Sequence, residues 1–335
     1  MSEKITNAEL DALDCYVDLH LHLDGSLSLN MVKELAKVQE MELPYSDDEI
    51  LQLLQVEEGC NSLDDYLTKF VFPNSFLQTE EGIFTAVKML GQELKEQGVM
   101  YAEVRFAPQK HCKLGLTQGE VVCAAIEGAQ KSPIPLKLIL CCMRGSDNYV
   151  ENVETIYNVV SSVDHNVVAA DLAGAEALFP TSGFGELFSM AKELNVPFTI
   201  HAGEASGPES IYKALEYGAK RIGHGVRATE DSKLVERLAK EGIVLECCPT
   251  SNLNTAIFKS LSDFPYREFM DSGVKFTINT DNMSVSNTTI KNEFKKLNDV
   301  FGLTKGEVRK LILNAIDASF AEDDLKESLR EQVNL

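Results

Sequence analysis

Six histidines occur in the chain: His20, His22, His111, His165, His201 and His224. Four of them stand in short motifs, His20 and His22 in VDLHLHLDG, His201 in HAGE and His224 in GHG. Residues i and i+2 of a strand point to the same side, so both imidazoles of H-x-H can face a single ion. Alone, such a pair has a plainer reading as two surface or core histidines. Joined by His201 and by Asp281 of NTDN, it becomes a set of three nitrogens and one carboxylate oxygen, which suits a single zinc ion. Glu204 follows His201 by three residues. A carboxyl beside a metal in a closed pocket keeps a proton readily and suits acid/base work, although a helix-entry glutamate serving backbone N–H groups would read the same. His224 lies between two glycines that let the backbone approach a pocket. With the four ligand positions filled, it is expected to orient and deprotonate the water bound at the metal, or else to be a structural core histidine. His111, His165 and the adjacent pair Cys247–Cys248 are read as packing residues.

These residues can act together only if the fold brings them to one place. Eight short, apolar, β-rich runs recur along the chain: Cys15–His22, Val99–Ala107, Leu136–Met143, Val167–Leu172, Pro197–His201, Arg221–His224, Ile243–Cys247 and Val274–Asn279. Helical patterns separate them, as in parallel βαβ units. Near-continuous apolar runs suit strands covered on both faces. The expectation is an α/β fold, a (β/α)₈ TIM-type barrel forming one domain over 1–335. His20 and His22 then end the first strand, His201 the fifth, His224 the sixth and Asp281 the eighth, all at the face where barrels of this kind place their active sites. First and eighth strands are neighbours in a closed barrel, and the fifth lies across the axis. Helix punctuation agrees: Pro208 and Gly218 bracket one helix, Thr304 and Glu307 form a capping box for another, and Ile83, Val87, Leu90 and Leu94 repeat at helical spacing. From about 28 to 97 the first connection is too long for a simple crossover. It reads as a helical insertion lying over the barrel mouth as a lid.

Bulk properties narrow the partners. The chain has 335 residues, is 44% hydrophobic and carries a formal net charge of −21. So acidic a surface repels polyanions, which disfavours nucleic acid and anionic membranes. The amino-terminal residues lack the zones of a secretory signal and no apolar run is long enough to span a bilayer. The eight cysteines show no C-x-x-C spacing and are expected reduced and mostly buried, in the cytoplasm. G-x-S-x-G, P-loop, G-x-G-x-x-G and H-x-E…P-C-x-x-C patterns do not occur, so serine hydrolysis, NTP hydrolysis, dinucleotide binding and cytidine-type deamination lack their usual parts.

With HLHLDGS, DLAG, HAGE, GHG and NTDN in that order, the chain resembles the adenosine deaminase family from about Val17 to Phe320. The resemblance implies a barrel hydrolase that converts adenosine and 2′-deoxyadenosine to the inosine nucleosides and ammonia. It implies one Zn²⁺ on His20, His22, His201 and Asp281. No lysine ends the fourth strand, so a two-metal centre bridged by a modified lysine is not expected. Carried over in the same way, Glu204 donates a proton to purine N1, His224 and Asp281 hold the attacking oxygen, and the Gly174 N–H meets N3. Asp24 takes the ribose 5′-hydroxyl with His22 alongside, and Tyr66 and Phe70 of YLTKF cover the base. Asn282 departs from animal members, which carry an aspartate facing N7; an amide can still donate there. Alternatives are deamination of methylthioadenosine, aminodeoxyfutalosine or adenine, and a catalytically silent nucleoside-binding protein. DLAG and Asp24 favour a nucleoside.

Overall fold

Each apolar run becomes a parallel strand: β1 (Tyr16–His22), β2 (Val99–Phe106), β3 (Leu136–Met143), β4 (Val167–Ala173), β5 (Thr199–Ala202), β6 (Arg221–His224), β7 (Val244–Cys247) and β8 (Lys275–Ile278). The structure, a computed structural model, describes residues 3–57, 60, 63–163 and 165–335, with only the backbone described at 63–65. β1 to β4 pair in order as one parallel sheet and β5 to β8 as another. Two seams join the sheets into the expected barrel. At the first, Ala170 N–H donates to Pro197 O at 2.9 Å and Ala170 bridges Phe198. At the second, Leu21 bridges Asp281, with His22 N–H donating to Asp281 O at 2.7 Å and Asp281 N–H to His20 O at 2.8 Å.

Strand ends shift where the local chemistry demands it. β5 starts at Thr199 and not at Pro197, which has no N–H to give a ladder. β8 stops at Ile278, and Asn279 just beyond it bonds both ways: its N–H donates to Cys247 O at 2.9 Å and its Oδ1 accepts from Leu19 N–H at 3.0 Å.

Helices surround the strands, and their ends follow the sequence signals. Pro208–Tyr217 begins on its proline and ends at Gly218, which has φ +103°. Lys305–Ala318 carries the capping box of Thr304 and Glu307. In the stretch expected as a lid, helices span Leu29–Val38, Asp47–Leu54, Leu63–Thr68, Val71–Asn74 and Glu80–Glu96; positions 58, 59, 61 and 62 of that stretch lie outside the described residues. Glu80–Glu96 behaves as an ordinary barrel helix, with Ile83, Val87, Leu90 and Leu94 fully buried.

The barrel interior is not wholly apolar. Arg105 on β2 is fully buried and donates to Asp171 on β4 at 3.0 Å, to Glu246 on β7 at 2.8 Å and to Leu19 O at 2.6 Å. Arg221 on β6 donates through Nε to Glu246 at 2.7 Å and through Nη1 to Glu103 on β2. Burial alone would raise the Glu246 carboxyl, but Arg221 and Arg105 hold it well below its ordinary range. Removing one partner from such a cluster strands the others. Arg105→Leu is expected to lower unfolding stability by about 3–5 kcal/mol in urea titration. A loss below about 1 kcal/mol would show that the cluster carries little of the fold.

Candidate metal centre and active site

β1 delivers His20 and His22 side by side, β5 delivers His201, and the turn after β8 delivers Asp281. One ligand atom from each lies within 4.8 Å of the others. Asp281 Oδ1 stands 3.5 Å from His20 Nε2 and 3.4 Å from His22 Nε2, and His22 Nε2 stands 3.2 Å from His201 Nε2. His20 Nε2 is buried without a hydrogen-bond partner, a costly state for a ring nitrogen unless its lone pair is used. The far sides of two rings explain which nitrogen is free. His20 Nδ1 donates to Glu246 at 2.8 Å and His201 Nδ1 to Asp171 at 2.9 Å. With those protons held on Nδ1, both rings turn an Nε2 lone pair toward the same point. The residues therefore fit a divalent cation with nitrogen and oxygen preferences.

A second donor group, His20, His224, Cys248 and Asp281, is equally close. The sequence reading treated Cys248 as packing, yet its thiol borders the site. Burial pushes that thiol well above its ordinary pKa, and it contacts Glu246 O at 3.5 Å. A protonated thiol is a poor ligand beside three imidazoles. Among the described cysteines, Cys15, Cys141, Cys142, Cys247 and Cys248 are buried free thiols.

Both His224 and Asp281 adopt left-handed backbone, φ 59° and 60°. Such conformations cost about 1–3 kcal/mol each for residues other than glycine and persist only where neighbours enforce them. For Asp281 the enforcing bonds are the two that close the β8–β1 seam. Ser251 Oγ also donates to Asp281 Oδ2 at 2.5 Å.

Glu204 Oε2 lies 3.6 Å from His224 Nε2. Asn252 Nδ2 reaches both residues, Glu204 Oε1 at 3.2 Å and His224 Nδ1 at 3.1 Å. Burial, with the charges of Asp281 and Glu176, lifts the Glu204 carboxyl well above its ordinary pKa. Burial likewise holds His224 well below its own, so the ring is neutral. Burial thus favours the uncharged form of both the carboxyl and the imidazole beside the ligand cluster.

Around this centre, Asp24 is half-buried one step past the β1 histidines, with Oδ2 3.5 Å from Asn74 Nδ2; burial pushes its carboxyl to about 6. Asn282 is buried and donates through Nδ2 to Tyr66 Oη at 3.0 Å. Its Oδ1 occupies the space that Gly25 leaves by lacking a Cβ, which would come within 1.9 Å. Tyr66 Oη also lies 3.0 Å from Ser286 Oγ, so the helix Leu63–Thr68 is pinned to the turn after β8. Phe70 is half-buried, its ring centroid 6.1 Å from that of Tyr66. Gly174 ends β4 exposed, with φ +105°, close above Arg144, whose Nη2 donates to His201 O at 2.6 Å. His111 is buried against the Phe106 ring and His165 is exposed, and neither belongs to either donor group.

Sequence reasoning missed the residues behind the ligands: Asp171, Glu246, Arg105, Ser251 and Asn252. A signal existed for the first three, since a charge inside an otherwise apolar strand needs a buried partner. Asp171 even stood in the DLAG motif, where only the glycine was assigned work.

Comparison with known proteins agrees with this geometry. The adenosine deaminase family model matches residues 16–335. A Haemophilus ducreyi adenosine deaminase is 45% identical over 322 residues, covering 93% of this chain and 94% of that protein. A Clostridium botulinum adenosine deaminase is 40% identical, covering 95% and 96%. Among solved structures, the adenine deaminase of Arthrobacter aurescens superposes with a TM-score of 0.85 at 26% identity, over 95% of this chain and 98% of its own. With a family match that starts at β1 and runs to the last residue, and relatives this close over nearly their full length, the chain belongs to the adenosine deaminase family.

Proposed function

We propose that the protein hydrolyses adenosine and 2′-deoxyadenosine to inosine and 2′-deoxyinosine with release of ammonia, using one zinc ion held by His20, His22, His201 and Asp281. The observation that carries this reading is the meeting, at one barrel end, of three imidazoles and a carboxylate within 4.8 Å, with the buried Glu204–His224 pair beside them. Zinc bound there supplies a water acidified to a pKa of ~7. Glu204, whose carboxyl burial pushes toward the protonated form, gives its proton to purine N1, which opens C6 to attack. His224 contributes as a donor: with Nδ1 accepting from Asn252, the neutral ring carries its proton on Nε2. In this reading it holds the attacking oxygen through that proton and does not act as the base. Asp281, with Ser251 on its other oxygen, faces the same point. Departure of ammonia from the tetrahedral carbon leaves the 6-oxo product.

For the substrate, the Gly174 N–H serves N3, the Asn282 amide serves N7, and Asp24 with His22 takes the ribose 5′-hydroxyl. Tyr66 and Phe70 cover the base and exclude water, which strengthens every charge interaction beneath them. A small-molecule purine nucleoside is thus the partner of this site, and the buried free thiols suit a reducing cytoplasm.

Purified protein is expected to hold about one zinc per chain by elemental analysis, and a strong chelator to abolish turnover that added zinc restores. Full activity in zinc-free protein would exclude the assignment. Glu204→Gln should keep zinc and still bind inosine, yet lose turnover by a factor on the order of 10² or more. A variant as fast as wild type would remove Glu204 from proton transfer.

Substrate choice rests on Asp24. A 5′-methylthio group cannot donate a hydrogen bond, and leaving the carboxylate unpaired costs about 1–3 kcal/mol, roughly ten- to a hundredfold in affinity. The expected order of kcat/KM is adenosine and 2′-deoxyadenosine, then 5′-methylthioadenosine, then adenine, with Asp24→Ala narrowing the first gap. Methylthioadenosine turned over as well as adenosine would overturn the substrate while leaving the zinc chemistry in place.

A further inference from the structure

Glu176 follows β4 on the loop that carries Gly174, and no step of the chemistry above assigns it a role beyond its charge near Glu204. Its side chain is 3% exposed and surrounded by donors. Oε1 accepts from Gly203 N–H at 2.8 Å and from the Ser210 hydroxyl; Oε2 accepts from Glu204 N–H at 3.1 Å, Ala205 N–H at 2.8 Å and Ser206 N–H at 2.9 Å. Four consecutive amides point at one carboxylate.

Consecutive N–H groups converge like this only when the backbone curls into a concave, anion-binding turn. Here the curl begins at Gly203, φ +71°, where a Cβ would lie 2.4 Å from Ile211 Cδ1. The anion that fills the turn comes from a different βα unit. Without it, four amide donors would face inward unpaired, an arrangement that a short loop does not keep. Glu204 is the second residue of this turn, and its own N–H is one of the four. The Glu176 charge is also among those that keep the Glu204 carboxyl protonated.

We propose that Glu176 is a positioning residue for proton transfer: it fixes the 203–206 turn so that the Glu204 carboxyl points at His224 and the purine, and it ties that turn to the loop bearing Gly174. The inference rests on reading Glu204 as the proton donor. One carboxylate then sets both the acid that protonates N1 and the amide that meets N3, at a fixed spacing across the ring.

The test is a double-mutant cycle on the zinc-loaded protein, using Glu176→Gln, Glu204→Gln and the pair. Gln at 176 replaces one accepting oxygen with an NH₂ group that confronts amide donors. Glu176→Gln is expected to keep its zinc and its affinity for inosine by calorimetry, while kcat falls about ten- to a hundredfold. Because the loss acts through Glu204, the pair should be no slower than Glu204→Gln alone by more than about twofold. Losses that multiply in the pair, or wild-type kcat in Glu176→Gln beside a slow Glu204→Gln, overturn the positioning role alone. A fast Glu204→Gln removes the proton-donor reading and this inference with it. If Glu176→Gln does not fold, Glu176→Asp decides: it keeps the charge but stops one methylene short, so zinc-loaded protein with lowered kcat supports the role and wild-type kcat refutes it.

Discussion

A histidine binds a cation only through a nitrogen that has no proton, so its other nitrogen must hold one firmly. In this barrel that requirement falls on two carboxylates, Glu246 under His20 and Asp171 under His201. Both are fully buried, and buried carboxylates need cations of their own. Arg105 reaches both at once, and Arg221 ties Glu246 to Glu103. Two guanidinium groups thus face three carboxylates at the floor of the site. The surplus negative charge is directed upward, where the ligand cluster has a use for a positive ion. Four strands, β2, β4, β6 and β7, contribute to that floor, so the register of the barrel and the tautomers of its histidines are set by one network.

Much of this was legible in the chain before any coordinates. Period and run length gave the strands, because a parallel strand covered on both faces leaves a dense apolar signature. Histidines at the ends of such runs pointed to the cluster that the structure brings together, because a barrel collects strand ends in one ring. The floor was harder to read. Arg105, Asp171 and Glu246 are far apart in sequence and meet only across the barrel axis, so no local spacing announces them. Asn252 and Ser251 lie on a short helix after β7 whose aim depends on how that strand exits the barrel. The turn-forming role of Glu176 was equally hidden, since its partners are backbone amides that carry no sequence signature. The same holds for the surroundings of His224: residue type suggested a base, but the Asn252 amide beside its Nδ1 has no sequence signature.

The helix Leu63–Thr68 introduces a different kind of dependence. Tyr66 anchors this helix through a hydroxyl placed on Asn282, and Asn282 is also the residue read as meeting purine N7. The anchoring of this helix and the proposed base recognition therefore converge on one side-chain amide. An aspartate there would meet a tyrosine hydroxyl and a purine nitrogen with different protonation demands, whereas an amide is neutral at every physiological pH. The contact between Tyr66 and Asn282 is for that reason insensitive to the ionisation of residue 282.

The two seams of the barrel divide it into β1–β4 and β5–β8. His20 and His22 belong to one half; His201 and Asp281 belong to the other. Neither half holds more than two of these four residues, and two ligands hold a divalent ion weakly. An ion bound by all four would therefore need the joined barrel, and it would reinforce the few hydrogen bonds of each seam. It would work as a rivet: set only after the plates are aligned, and once set resisting their parting.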